Sequence, residues 1–220
     1  MPCALPTPFA PASTTRAVCR LVWLLGMLMV LPLAAQDLPP LDARYDQADP
    51  AARWVQRVDI DNATERAALD TSLRREGRNP VLRLQSAWMH ADRGMRQRIE
   101  RDAEAALRLS EEGSLTRRMV HYNYGWIRFH LGEFELAKAQ WLQAYALHGG
   151  QPDWVPSHFA LLLWSQGDRE TALTYYAKAA ESQPTQWGRE ADLDAATADF
   201  GPNERLAMQS MHEAWLRDAP

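Results

Sequence analysis

Histidine and carboxylate spacings are where catalysis would show first, and in this chain they stop short of a complete site. His212-Glu213 opens like a zinc-protease helix, but Leu216 stands where the second metal-gripping histidine must be. His121 and His130 are nine residues apart, at different angles of one helix rather than converging on an ion, and His148 and His158 flank a loop. These five and His90, the six histidines of the chain, without a cysteine partner in the same region, read as surface or satisfied core residues. No glycine-rich phosphate loop carries its lysine; Lys138 and Lys178 fall within helical segments, which argues against nucleotide chemistry. The acid pairs that would suit glycan hydrolysis, Glu111-Glu112 and Asp192 with Asp194, lie in polar stretches without an apolar pocket to raise one carboxyl pKa. No catalytic residue, cofactor or metal is expected, and the chain reads as a non-enzyme.

The aromatic residues are more informative, because they keep step with three glycines. Gly94, Gly132 and Gly167 recur at spacings of 38 and 35 residues. Seven residues before each stands a small residue (Ala87, Gly125, Ala160), and twelve after each an alanine (Ala106, Ala144, Ala179). A residue without a β-carbon adopts the left-handed conformation that ends a helix and reverses the chain, while the small residues let two helices cross closely. No useful stretch alternates with period two, so sheet is not expected. The separators Glu112-Gly113-Ser114, Gly149 to Pro152 and Gln183-Pro184-Thr185 divide the chain into helical pairs, and one pair cannot bury its apolar face alone. The fold class is all-α, a stack of helix-turn-helix repeats.

At the level of individual residues, Asn123-Tyr124-Gly125, then Gly132 to Ala137, Trp141 and Ala144 resemble the tetratricopeptide repeat. So do Ala160, Gly167 to Ala172, Tyr176, Ala179 and Pro184. The copy around Gly94 is degenerate, with Ile99 for the family's alanine and Ala103 for its aromatic, although Ala87 and Ala106 are kept. The resemblance covers residues 80–184 and implies an α-α superhelix whose first helices face a concave groove. It places Trp88, Trp126 and Leu161, Ala91, Phe129 and Trp164, together with Leu84, Tyr122, Trp154 and Ser157, along that groove. Subfamilies that grip a terminal carboxylate present lysine and asparagine in these columns. This chain has neither there, so the groove should be aromatic and apolar. The implied function is a scaffold or adaptor that takes a helix or extended apolar peptide, with Trp88, Trp126, Phe129 and Trp164 as anchors. On that reading Trp126→Ala weakens partner capture by at least about 1 kcal/mol and leaves helical content intact. The groove could instead be covered by the N-terminal stretch or by the last helix.

Residues 1–35 carry Arg16 and Arg20 and then an apolar run, Leu21 to Ala35, in the pattern of a secretory signal. As a helix that run rises about 22 Å, short of the roughly 30 Å of a bilayer core. Cleavage near Ala35 would leave a periplasmic or secreted chain with no membrane span; an uncleaved segment would instead tether it. Both cysteines, Cys3 and Cys19, would leave with the signal, so no disulfide is expected. The exported form would hold 22 basic against 28 acidic residues, which disfavours nucleic acid. Twelve arginines against nine acids in residues 62–118 read as solvated faces. Residues 36–61 look extended or loosely packed, 62–78 a capping helix begun by Asn62 and Glu65, 79–184 the repeats and 185–220 a helical cap. Two alternatives stand beside the adaptor: a cell-wall or polysaccharide-active enzyme or glycan binder, and a subunit of an envelope complex contacting partners by its convex face.

Overall fold

The computed structural model describes residues 38–218, so the signal-like segment and both cysteines lie outside the described residues. Among the described residues the architecture is all-α. Helix α1 spans Ala63–Arg75, α2 Pro80–Ala91, α3 Arg96–Leu109, α4 Leu115–His130, α5 Phe134–His148, α6 Val155–Gln166 and α7 Arg169–Ser182. The short α8 (Pro184–Trp187) and α9 (Leu193–Ala196) precede α10 (Pro202–Asp218). Asn62 caps α1 as its type predicts, accepting from the Thr64 and Glu65 amides, while Glu65 accepts from the Asn62 side-chain nitrogen and from the Asp59 amide rather than from the Asn62 amide.

Three hairpins, α2–α3, α4–α5 and α6–α7, turn at the three periodic glycines, whose φ values are 65°, 73° and 90°. Each hinge repeats one hydrogen-bond pattern. The glycine amide donates to the carbonyl three residues back (Ala91, Phe129, Trp164), and the next amide donates to the carbonyl five back (His90, Arg128, Leu163). These paired bonds satisfy helix-end carbonyls that would otherwise be orphaned. Successive hairpins stack α2 on α4 and α5 on α6, and their edges are tied by Arg96 to Glu133 and by Gln166 to Glu135.

Close crossing within the second hairpin is enforced at Gly125. A β-carbon there would lie 2.3 Å from Cδ1 and Nε1 of Trp141, whose indole is fixed by donating to the Tyr122 carbonyl at 3.1 Å. Gly125→Ala is therefore expected to lower stability by about 1–3 kcal/mol through overpacking, read as a shifted urea midpoint. An unchanged midpoint would mean that the indole has room to move.

Residues 38–60 form no helix and run as an irregular strap with turns at 41–42 and 50–51, packed rather than loose. This strap crosses the helices from the third hairpin to the first. Tyr175 donates to the Pro39 carbonyl and Tyr45 to the Pro40 carbonyl, the latter at 2.7 Å. Gln47 forms a single parallel bridge with Pro152, through Asp153 N to Gln47 O at 2.9 Å and Gln47 N to Gln151 O at 3.2 Å. Tyr45, Ala51 and Val55 are buried. At the opposite end of the array α10 packs on α6 and α7, burying Met208, Met211 and Ala214 and bonding His212 Nδ1 to the Tyr176 hydroxyl at 2.8 Å. The last helix thus supplies the apolar cover that a terminal repeat lacks.

Candidate functional site

The inner wall of the array is aromatic, and much of it is already occupied by the protein's own chain. Trp54 of the strap sits between Trp88 and Trp126, with ring centroids 5.2 Å and 4.8 Å away. Asn123, buried in the middle of α4, holds the strap backbone on both sides of Trp54: its amide nitrogen donates to the Arg53 carbonyl at 2.9 Å and its oxygen accepts from the Val55 amide at 3.0 Å. Gln85 donates to the Gln56 carbonyl at 3.0 Å, and Arg57 pairs with Asp92 at 2.5 Å while lying over the Trp88 ring. Phe200, from the loop before α10, closes on Trp126 from another side at 4.9 Å.

Between strap, α4, α6 and the α8–α9 region remains a cavity of about 1010 Å³. Tyr122, Trp154, Trp187 and Phe200 give it aromatic walls, and Asp153, Asp199, Gln183 and Gln186 give it polar ones. Asp49 is committed elsewhere: its carboxylate accepts from Trp154 Nε1 at 3.2 Å and from the Ala51 amide at 2.9 Å, and pairs with Arg118 at 3.0 Å. Burial, with the charge of Asp49 adding, raises the Asp153 carboxyl above its ordinary value. Burial also raises the Tyr122 hydroxyl, helped by the charges of Asp153, Asp49 and Asp199.

His158 also lines the cavity. Its ring donates toward the Trp154 carbonyl, leaving Nε2 to accept from the Tyr122 hydroxyl at 2.9 Å. Burial disfavours its charged form and lowers its pKa to about 3. Unfolded, the ring takes a proton below about pH 6.5, so its contribution is complete above that pH and declines as pH falls toward the folded value. Wild-type protein is expected to lose about 2 kcal/mol more than His158→Gln between pH 7 and pH 5, compared by urea unfolding at each pH. Parallel losses would mean that water reaches the imidazole.

The walls show what the site can hold, and kinship adds nothing further. No family model, curated protein or solved structure matches the chain. Among the ten groove residues expected from sequence, Tyr122, Trp154 and Ser157 line the cavity, while Leu84 and Ala91 are buried in the core. Trp88 and Trp126 are covered by Trp54, and Phe129 and Leu161 are core, Phe129 stacking on Trp141 at 5.7 Å. Trp164 is elsewhere: Arg169 lies 3.7 Å over its ring, beside Asn203 and Leu206 of α10. The anchor set Trp88, Trp126, Phe129 and Trp164 is thus not gathered on one open surface. Asn123, Asp153, His158, Trp187 and Phe200 went unanticipated as site residues. Asn123 alone carried a signal, since an amide amid the apolar residues of a helix needs partners when buried.

The acid pairs weighed for hydrolysis are not in this cavity. Glu111 and Glu112 are exposed on the α3–α4 loop, and Asp192 caps α9 by accepting from the Ala195 amide at 3.1 Å. Among the described residues no group of three or more His, Cys, Asp or Glu side chains is placed to hold a metal ion.

Proposed function

We propose that this chain is an adaptor of tetratricopeptide type that binds a partner polypeptide in the cavity beside its strap. The observation that carries this reading is the strap itself. An extended segment lies in the inner wall with its backbone read by Asn123 and its tryptophan inserted between two others, the two elements by which a groove recognises a peptide without a fixed sequence. The adjoining cavity continues the same surface with Tyr122, Trp154, Trp187 and Phe200, enough apolar wall for one or two bulky side chains. Export directed by the Leu21–Ala35 run would put the adaptor in the periplasm.

Panning a random peptide library on the purified protein tests this. Enriched peptides should bind with an affinity that Ala198→Trp, which adds an indole to the cavity's lining from an exposed position, lowers at least tenfold without changing the unfolding midpoint. Peptides unaffected by that change would place recognition elsewhere and defeat the proposal.

A glycan ligand is the second reading, favoured by Asp153, a carboxyl with a raised pKa beside Trp154. Quenching of tryptophan fluorescence by soluble oligosaccharides, reversed by Asp153→Asn, supports it. Absence of quenching removes it.

A further inference from the structure

A second cleft, of about 280 Å³, opens between α1, α2 and α3 and shares no lining residue with the cavity beside the strap. Five guanidiniums line it: Arg66 from α1, Arg83 from α2, Arg93 from the hinge, and Arg98 and Arg101 from α3. They face two carboxylates, Asp70 and Asp102, together with Ser86 and His90.

Asp102 is fully committed. Its side chain is 1% exposed and accepts from Ser86 Oγ at 2.7 Å, with Arg83 and Arg101 each at 3.3 Å and His90 Nε2 at 3.4 Å. Burial alone would raise its pKa, but the hydrogen bonds from His90, Ser86 and Arg101 outweigh this and hold it far below the carboxylate range. It therefore stays charged and balances one guanidinium. Arg66 donates to the Ile60 carbonyl and has no carboxylate partner among the described residues. Arg93 and Arg98 make no side-chain hydrogen bond or ion pair among the described residues. Asp70, exposed on α1, is the remaining counter-charge, so the cleft keeps an excess of positive charge.

His90 is the second, independent sign. Its side chain is 7% exposed, its Nε2 is turned to Asp102, and its Nδ1 is buried without any hydrogen-bond partner. With its Nε2–H given to Asp102, Nδ1 is an acceptor; leaving it unsatisfied costs about 1–3 kcal/mol, a cost that the P–OH of a hydrogen phosphate bound at the same wall would relieve by donating to it. Guanidiniums present paired donors matched to planar or tetrahedral oxyanions, and their mutual repulsion falls when one is bound.

We propose that this cleft is a binding site for a single phosphate-type dianion, gripped by Arg93 and Arg98 and backed by Arg66, Arg83, Arg101 and His90. Ser86 and Asp102 hold the arginines and the imidazole in place rather than touching the ligand. Its dimensions suit one small group, free phosphate or a phosphate monoester, better than an extended polyanion or a flat lipid surface.

Isothermal titration with inorganic phosphate, at ionic strength held constant with sodium chloride, tests the site. Saturable one-to-one binding is expected, weakened at least tenfold in Arg93→Gln/Arg98→Gln and unchanged in Arg108→Gln, an arginine on α3 that pairs with Glu104 outside the cleft. Circular dichroism should show all variants folded, since Arg93 and Arg98 are exposed. Phosphate binding that survives the double substitution, or no saturable binding, overturns the proposal. Co-sedimentation with phosphatidylcholine vesicles containing phosphatidylglycerol is the second arm. Sedimentation abolished by the double substitution, with no response to inorganic phosphate, would assign the arginines to a membrane surface and equally overturn it.

Discussion

Replacing Asp49 by alanine is expected to remove about 3–5 kcal/mol of stability and to release the strap from the helices. The Asp49 side chain is 0% exposed and Arg118 14% exposed, so their 3.0 Å ion pair is shielded from water and salt. The substitution leaves the guanidinium with the Leu147 carbonyl at 3.3 Å, and its Nε has no partner even in the wild type. It also strands the Trp154 indole N–H and the Ala51 amide, both buried donors. Asp49→Asn, which keeps an acceptor but not the charge, should cost less. Arg44→Ala is the control: its pair with Asp46 has side chains 85% and 43% exposed and should contribute under about 1 kcal/mol. Urea unfolding measures the loss, and limited trypsin cleavage at Arg44 and Arg53 reports release of the strap. If Asp49→Ala costs no more than Arg44→Ala and proteolysis is unchanged, Asp49 does not anchor the segment.

What could be read from sequence followed the range of the physics. A glycine that must take positive φ is a local requirement, so Gly94, Gly132 and Gly167 announced the hinges. Gly125 and Trp141, small against large sixteen residues apart, announced a close crossing. The strap has no such periodicity, because an extended chain held by Asn123 from nearly seventy residues away needs only a backbone to hold. The cavity was hidden for the same reason, since Asp153 and Phe200 come from connections between helices and Trp187 from the end of the four-residue α8. Trp164 was misassigned because the column rule treats every hairpin alike. The third hairpin is packed by α10 rather than by a fourth copy, and Trp164 lies in that junction.

Trp126→Ala separates an aromatic anchor from an aromatic core, and the structure makes it a core substitution. The ring is 1% exposed and lies within 6 Å, centroid to centroid, of Trp54 (4.8 Å), Trp141 (5.2 Å), Phe129 (5.7 Å), His158 (4.9 Å) and Phe200 (4.9 Å). Truncation loses the transfer energy of the indole and opens a cavity that surrounding rings only partly fill, for an expected cost of about 3–5 kcal/mol. Trp54 and Phe200 lose their common neighbour, so the strap and the loop before α10 should loosen together. Because Trp126 Nε1 is buried without a hydrogen-bond partner, Trp126→Phe forfeits no hydrogen bond and removes an unsatisfied polar atom, and should cost under about 1.5 kcal/mol despite the smaller ring. Urea unfolding with ellipticity at 222 nm measures both variants, and enriched peptides give their affinities. A large stability loss for alanine, recovered by phenylalanine, makes Trp126 the keystone under the strap. A small loss with peptide affinity abolished would mean that the strap lifts and Trp126 meets the partner directly.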